Sequence, residues 1–276
     1  MRTNGQGSVV RAGNRLPMAR SGHCLRRLVI AIAPALLVFW VMAYLKEPEN
    51  WREAGAKAAT AAGPKMGRFR DLLGGSPWRR RALLGMLLAS VGLGAFWGVT
   101  VAGQDLAREL LLRNGQSPAK AAQAAKFAYG IVEVAGMGLG LLAFGPLSVW
   151  LGRRRAFGVM HAGAFIIVPI TCYLPTTYTQ LLLLLPIFGF LTGGMHSGYA
   201  IYFPELFPTH LRATGTGFCF NGGRILAALI LILSAWLKSL PGMDLRLAIT
   251  LLGFLFPIGL LVIWFLPETK GQPLPE

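Results

Sequence analysis

Few residues in this chain place a reactive side chain in an apolar setting, and those few are where chemistry would sit. Glu133 lies in the hydrophobic stretch 127–151, about six residues from its start. A carboxyl group held away from bulk water can take up and release a proton as water access alternates, which is what a proton symporter requires. The plainer alternative is a carboxylate that reaches back to water or pairs with Lys126, because one and a half turns is only about 9 Å. Arg224, with Asn221 one turn earlier, lies in the run 213–237. An arginine about eleven residues, or roughly 16 Å, into an apolar helix costs at least ~2.5 kcal/mol unless it is paired or faces water. Its guanidinium can hold a carboxylate through two parallel hydrogen bonds, which suits an organic anion; a structural bond to Glu133 or to a carbonyl is the alternative. His196 follows Gly193-Gly194 and could titrate, and His161 lies in another apolar run; for both, packing is the commoner role. Glu205, Arg212 and the cluster Arg153-Arg154-Arg155 occupy short polar breaks. No group of histidines, cysteines or acids has metal-ligand spacing, and no Ser-His-Asp or Cys-His arrangement is present, so neither a cofactor nor an enzyme is expected.

The elements that must carry these residues are membrane spans. Of 276 residues, 54% are hydrophobic and 14% charged, against about a quarter charged in soluble domains. The net charge of +16 would suit nucleic acid if it lay on a folded soluble face. It lies in loops between apolar runs, so nucleic acid is excluded as a partner and the lipid bilayer takes its place. Apolar runs cover about 28–45, 82–103, 127–151, 156–174, 181–203, 213–237 and 247–266, each near the roughly 20 residues that a spanning helix needs. Internal prolines at 34, 169, 186 and 257 read as tolerated kinks, whereas Pro204 and Pro208 are expected to end the helix before them. Alternating apolar and polar residues are missing, which argues against a β-barrel. The expected fold is an all-α integral membrane protein with seven transmembrane helices. Gly138-Leu139-Gly140 imitates a dinucleotide fingerprint but lies inside a span. With Gly136, Gly189, Gly193, Gly194 and Gly198 it reads as small residues that let helices approach closely. The cysteines, Cys24, Cys172 and Cys219, are odd in number and far apart, so no disulfide framework is indicated.

Three motifs carry a resemblance. Pro204-Glu205-Leu206-Phe207-Pro208-Thr209, followed by Leu211-Arg212-Ala213-Thr214-Gly215 and by Asn221, Gly223 and Arg224, resembles the loop between helices ten and eleven of major facilitator superfamily transporters. Gly145-Pro146-Leu147-Ser148 and Leu151-Gly152-Arg153-Arg154-Arg155 is similar to that superfamily's signature loop between helices eight and nine, with Val149 and Trp150 where an aspartate is usual. Pro267-Glu268-Thr269-Lys270-Gly271 resembles the ending of sugar porters, and 28–51 is similar to helix six and the start of the central loop. The closest groups are the metabolite:proton symporters and the sugar porters. The resemblance implies two six-helix halves rocking about a midplane site, with 82–266 as the C-terminal half. It implies a cytoplasmic gate of Glu205, Arg153, Arg155 and Arg212, in which Glu205 contacts Arg153 or Arg155. Substrate or proton coupling falls to Glu133, Asn221, Arg224 and His196. The expected activity is proton-coupled uptake of a small organic acid; a sugar, or a transport-incompetent fragment, is the alternative.

Lysine and arginine counts set the expected orientation. With the linker 46–81 in the cytoplasm, that side holds fourteen and the other six, which puts the linker and the tail 267–276 inside a plasma or inner membrane. Seven spans then leave the basic leader 1–27, with six arginines and no acid, outside, against the same rule. The leader imitates a signal peptide, but no small-residue cleavage site follows the run 28–45, which is read as an anchored span. The expectation that resolves the conflict is a truncated, split or misread gene, with a missing N-terminal half as partner.

Overall fold

The computed structural model describes residues 32, 35, 37–44, 49–59 and 65–275. The basic leader and most of the run 28–45 lie outside the described residues; within that run, 37–44 are helical and their side chains exposed. The chain divides into two compact units, Met1–Arg52 and Glu53–Glu276. Every regular element described is helical. Two short helices, α1 (Glu49–Ala59) and α2 (Phe69–Gly74), fall within the expected linker. Six helices are long and apolar enough to cross a membrane: α3 (Trp78–Arg113), α4 (Pro118–Leu151), α5 (Arg153–Tyr173), α6 (Tyr178–Glu205), α7 (Arg212–Ser239) and α8 (Leu245–Phe265).

Each helix runs past the apolar stretch that announces it, because helical hydrogen bonding continues into the headgroup region until a cap or a turn stops it. Arg79, Arg80 and Arg81 therefore open α3 and do not close the linker. Thr177 starts α6: its side chain accepts from the amide of Gln180, whose side chain returns to the Thr177 amide, a reciprocal cap. Pro204 was expected to end α6, yet the helix runs through it to Glu205. Proline in a last turn removes only one amide bond, and 206–211 then make the turn into α7.

α3 is the central helix, the most buried of the six, and it packs against α4, α7 and α8. Many of its inward positions are small, including Ala82, Gly85, Ala89, Gly92, Ala95 and Ala102, interspersed with larger ones such as Leu88 and Phe96. Between lipid-soluble helices, packing and hydrogen bonding replace the hydrophobic effect as the cohesive force, so small residues set the contact distance. Gly140 of α4 and Gly194 of α6 touch: a Cβ on Gly140 would stand 2.8 Å from the Gly194 Cα. On the outside, Leu142, Trp150, Leu183, Ile225 and Trp264 are all more than 70% exposed, a surface that water would not tolerate and lipid would.

Candidate functional site

Glu133 sits much deeper than its sequence position suggests. α4 begins at Pro118, not near 127, so Glu133 lies fifteen residues, about 22 Å, into a continuous helix. Its side chain is fully buried at 0% exposure. Neither Lys126 nor Arg224 meets it; the hydroxyl of Thr100 on α3 donates to its Oε1 at 2.7 Å, while Oε2 has no hydrogen-bond partner among the described residues. Glu133 also closes a π-helical segment, Ala128–Glu133. Such a turn carries an extra residue and often marks a functional position. Gly189 of α6 lies directly on the Glu133 carbonyl, where a Cβ would come within 2.1 Å. The Glu133 backbone is thus pressed against α6 while its carboxyl group reaches α3, with one oxygen unpartnered among the described residues.

The two histidines differ. His161 Nδ1 lies 2.8 Å from the Phe157 carbonyl, and its ring fills the space left by Gly259. That is a packing arrangement. His196 packs against the edge of Phe96 at 5.0 Å and stacks on Tyr199 at 5.8 Å; among the described residues its buried Nε2, like that of His161, has no hydrogen-bond partner. Phe96 and Thr100 are one helical turn apart on α3, so His196 and Glu133 meet the same face of that helix.

Arg224 and Asn221 are exposed on α7. Arg224 is twelve residues, about 18 Å, into the helix, and its guanidinium lies over the Phe220 ring at 5.6 Å. Among the described residues it forms no ion pair. A cation at that depth is not stable against lipid, so this face of α7 must meet water, protein or an anion.

The polar residues at the opposite end of α4 and α5 are densely bonded. The guanidinium of Arg153 donates to both oxygens of Glu205, at 3.0 and 2.7 Å. Thr269 also donates to Glu205. Arg212 turns to the Pro204 carbonyl at 3.1 Å, Arg81 reaches the Leu206 carbonyl at 2.9 Å, and Arg155 is exposed. Glu268, part of the sugar-porter-like ending, caps α5: its carboxylate accepts from the amides of Arg153 at 2.9 Å and Arg154 at 3.1 Å. Gly152 permits this with φ +94°, since a Cβ there would stand 2.7 Å from the Glu268 carboxylate. Burial alone would raise the affinity of Glu268 for a proton, but the amides of Lys270, Arg153, Arg154 and Thr269 together hold it below the usual carboxylate range.

The sequence reading missed Thr100, Glu268 and the π segment. Thr100 carries no signal, being a common residue in an apolar run. Glu268 carries one, a carboxylate beside a helix end whose partner is 115 residues away.

No family model matches the chain. It is 27% identical over 252 residues to a Haemophilus influenzae protein provisionally named a metabolite transport protein, covering 89% of this chain and 58% of that one. It is 26% identical over 247 residues to the cis,cis-muconate transport protein of Acinetobacter baylyi, covering 88% and 57%. A Cupriavidus pinatubonensis protein provisionally named a 4-methylmuconolactone transporter is 28% identical over 132 residues, 48% of this chain and 31% of that one. The chain thus spans under two thirds of the length of the curated relatives it matches. Relatives named as transporters along nearly the whole chain, six membrane-capable helices and the motifs around Arg153, Glu205 and Arg224 agree. The chain is thus similar to membrane proteins named as small-molecule transporters, which agrees with the resemblance of its motifs to the major facilitator superfamily.

Proposed function

We infer that the six helices α3–α8 form one half of a secondary transporter that moves a small organic acid together with a proton. The observation that carries this reading is Glu133, a fully buried carboxyl group with one oxygen on Thr100 and the other unpartnered among the described residues. A structural carboxylate would be expected to fill its bonding capacity, whereas a group that must alternately bind and release a proton keeps one oxygen free. Arg224 and Asn221 supply the carboxylate-binding surface, which is supported by their exposed place near the middle of α7 and by the organic acid in the name of the Acinetobacter relative. The Arg153–Glu205–Glu268 cluster is the gate of the side that closes against the second half. His196 is an accessory to Glu133 along the same face of α3. The lipid bilayer in question is the plasma or inner membrane.

In membrane vesicles from cells expressing the chain together with an N-terminal six-helix half, an inward proton gradient should drive uptake of a labelled dicarboxylate. Glu133→Gln should abolish the gradient-driven component yet keep exchange of substrate across the membrane. Arg224→Lys should weaken uptake at least tenfold, because a lysine cannot form the two-pronged contact. Gradient-driven uptake at wild-type rate in Glu133→Gln would remove the coupling role.

A further inference from the structure

A groove of about 750 Å³ runs between α5 and α8 at the Arg153 end of the bundle, away from Glu133 and from the exposed face of α7. Its mouth is basic. Arg154 is anchored by the carbonyls of Ile263 at 3.2 Å and Trp264 at 2.8 Å, and Lys270 by the Trp150 carbonyl at 2.8 Å. Those partners are neutral, so among the described residues neither cation is ion-paired, and Arg155 beside them is exposed. The acid in the groove, Glu268, is already engaged with four backbone amides. Three cations thus share one occupied carboxylate. Below the mouth the walls turn apolar: Leu260 and Ile263 line one side, and Gly158 leaves the other open, its nearest neighbour being Leu260 at 3.9 Å from a Cβ. Trp150 and Trp264, 75% and 73% exposed at the level of the cations, are the residue type that marks the membrane–water interface.

A cationic mouth at headgroup depth above an apolar slot open to lipid has the chemistry of a phospholipid stood on end. We propose that this groove binds an anionic phospholipid, with its phosphate held by Arg154, Arg155 and Lys270 and one acyl chain lying over Gly158 and Leu260. The charge at the mouth selects against a zwitterionic headgroup, and the slot selects against a free anion.

Native mass spectrometry of the full chain, released from micelles that contain equal amounts of phosphatidylcholine and phosphatidylglycerol, tests this. The expected result is retention of phosphatidylglycerol over phosphatidylcholine. The double variant Arg155→Gln with Lys270→Gln should weaken retention by about fivefold per charge removed. Gly158→Leu keeps every charge and fills the slot, and it too should reduce retention; it guards against a double variant that fails to fold. Equal retention of the two lipids by the unaltered chain, or unchanged retention in both variants, overturns the proposal. So does displacement of the lipid by inorganic phosphate at comparable concentration, which would mean an anion site with no acyl recognition.

Discussion

Glu133 in the middle of the bundle and Glu205 at its end are both carboxylates set among spanning helices, and they are treated in opposite ways. Glu205 receives both prongs of Arg153 and the hydroxyl of Thr269. Glu133, more deeply buried, receives one hydroxyl and no cation. A fully paired carboxylate is expensive to disturb and holds a geometry, whereas an under-paired one is poised between two charge states. On the proposed reading, the contrast separates a residue that fixes a conformation from one that exchanges a proton with the substrate's passage. The physical reason for the separation is access: at the bundle end, backbone amides and arginines from three helices converge, while at mid-span the Glu133 carboxyl group has the Thr100 hydroxyl as its one hydrogen-bond partner among the described residues.

The largest effect should come from the paired end. Glu205→Ala leaves Arg153, whose side chain is 16% exposed, without its counter-charge, and should cost about 3 kcal/mol of bundle stability, read as the midpoint of unfolding in a detergent titration. A loss below that of the next variant would break the comparison. Thr100→Val strips Glu133 of its one bond and should cost about 1–2 kcal/mol by the same titration.

The smallest effect concerns Glu268. Its folded-state proton affinity is depressed, so its contribution to stability is fully present above the ordinary carboxylate range and is lost as pH falls through the folded value. The thermal midpoint of the unaltered chain should therefore decline as pH falls through and below the ordinary carboxylate range. Glu268→Gln should flatten that decline, and an unchanged slope would show that the cap on α5 is not the cause.

Much of this was legible in the chain itself. Six of the seven apolar runs lie in helices long and apolar enough to cross a membrane, because a bilayer permits few other ways to satisfy a backbone; most of the seventh, 28–45, lies outside the described residues. Glu133 stood out as an acid in such a run, and the pairing of Glu205 with the Arg153 cluster was expected and is present. The linker, read as one polar connection, holds two short helices. The depth of Glu133 was underestimated, since the alanine-rich, lysine-bearing stretch 118–127 extends the helix although its composition is too polar to announce a span.

What the sequence determined by itself is where the chain crosses: about twenty apolar residues in a row have one low-energy arrangement in lipid, and local composition is enough to specify it. What the tertiary structure alone decided is which polar atoms meet. Thr100 finds Glu133 33 residues away, and Glu268 finds the start of α5 more than a hundred residues away. Those meetings depend on how each helix is rotated and how closely glycines such as Gly140 and Gly194 let neighbours approach. Rotation and approach are properties of pairs of helices, and no single stretch of sequence contains them.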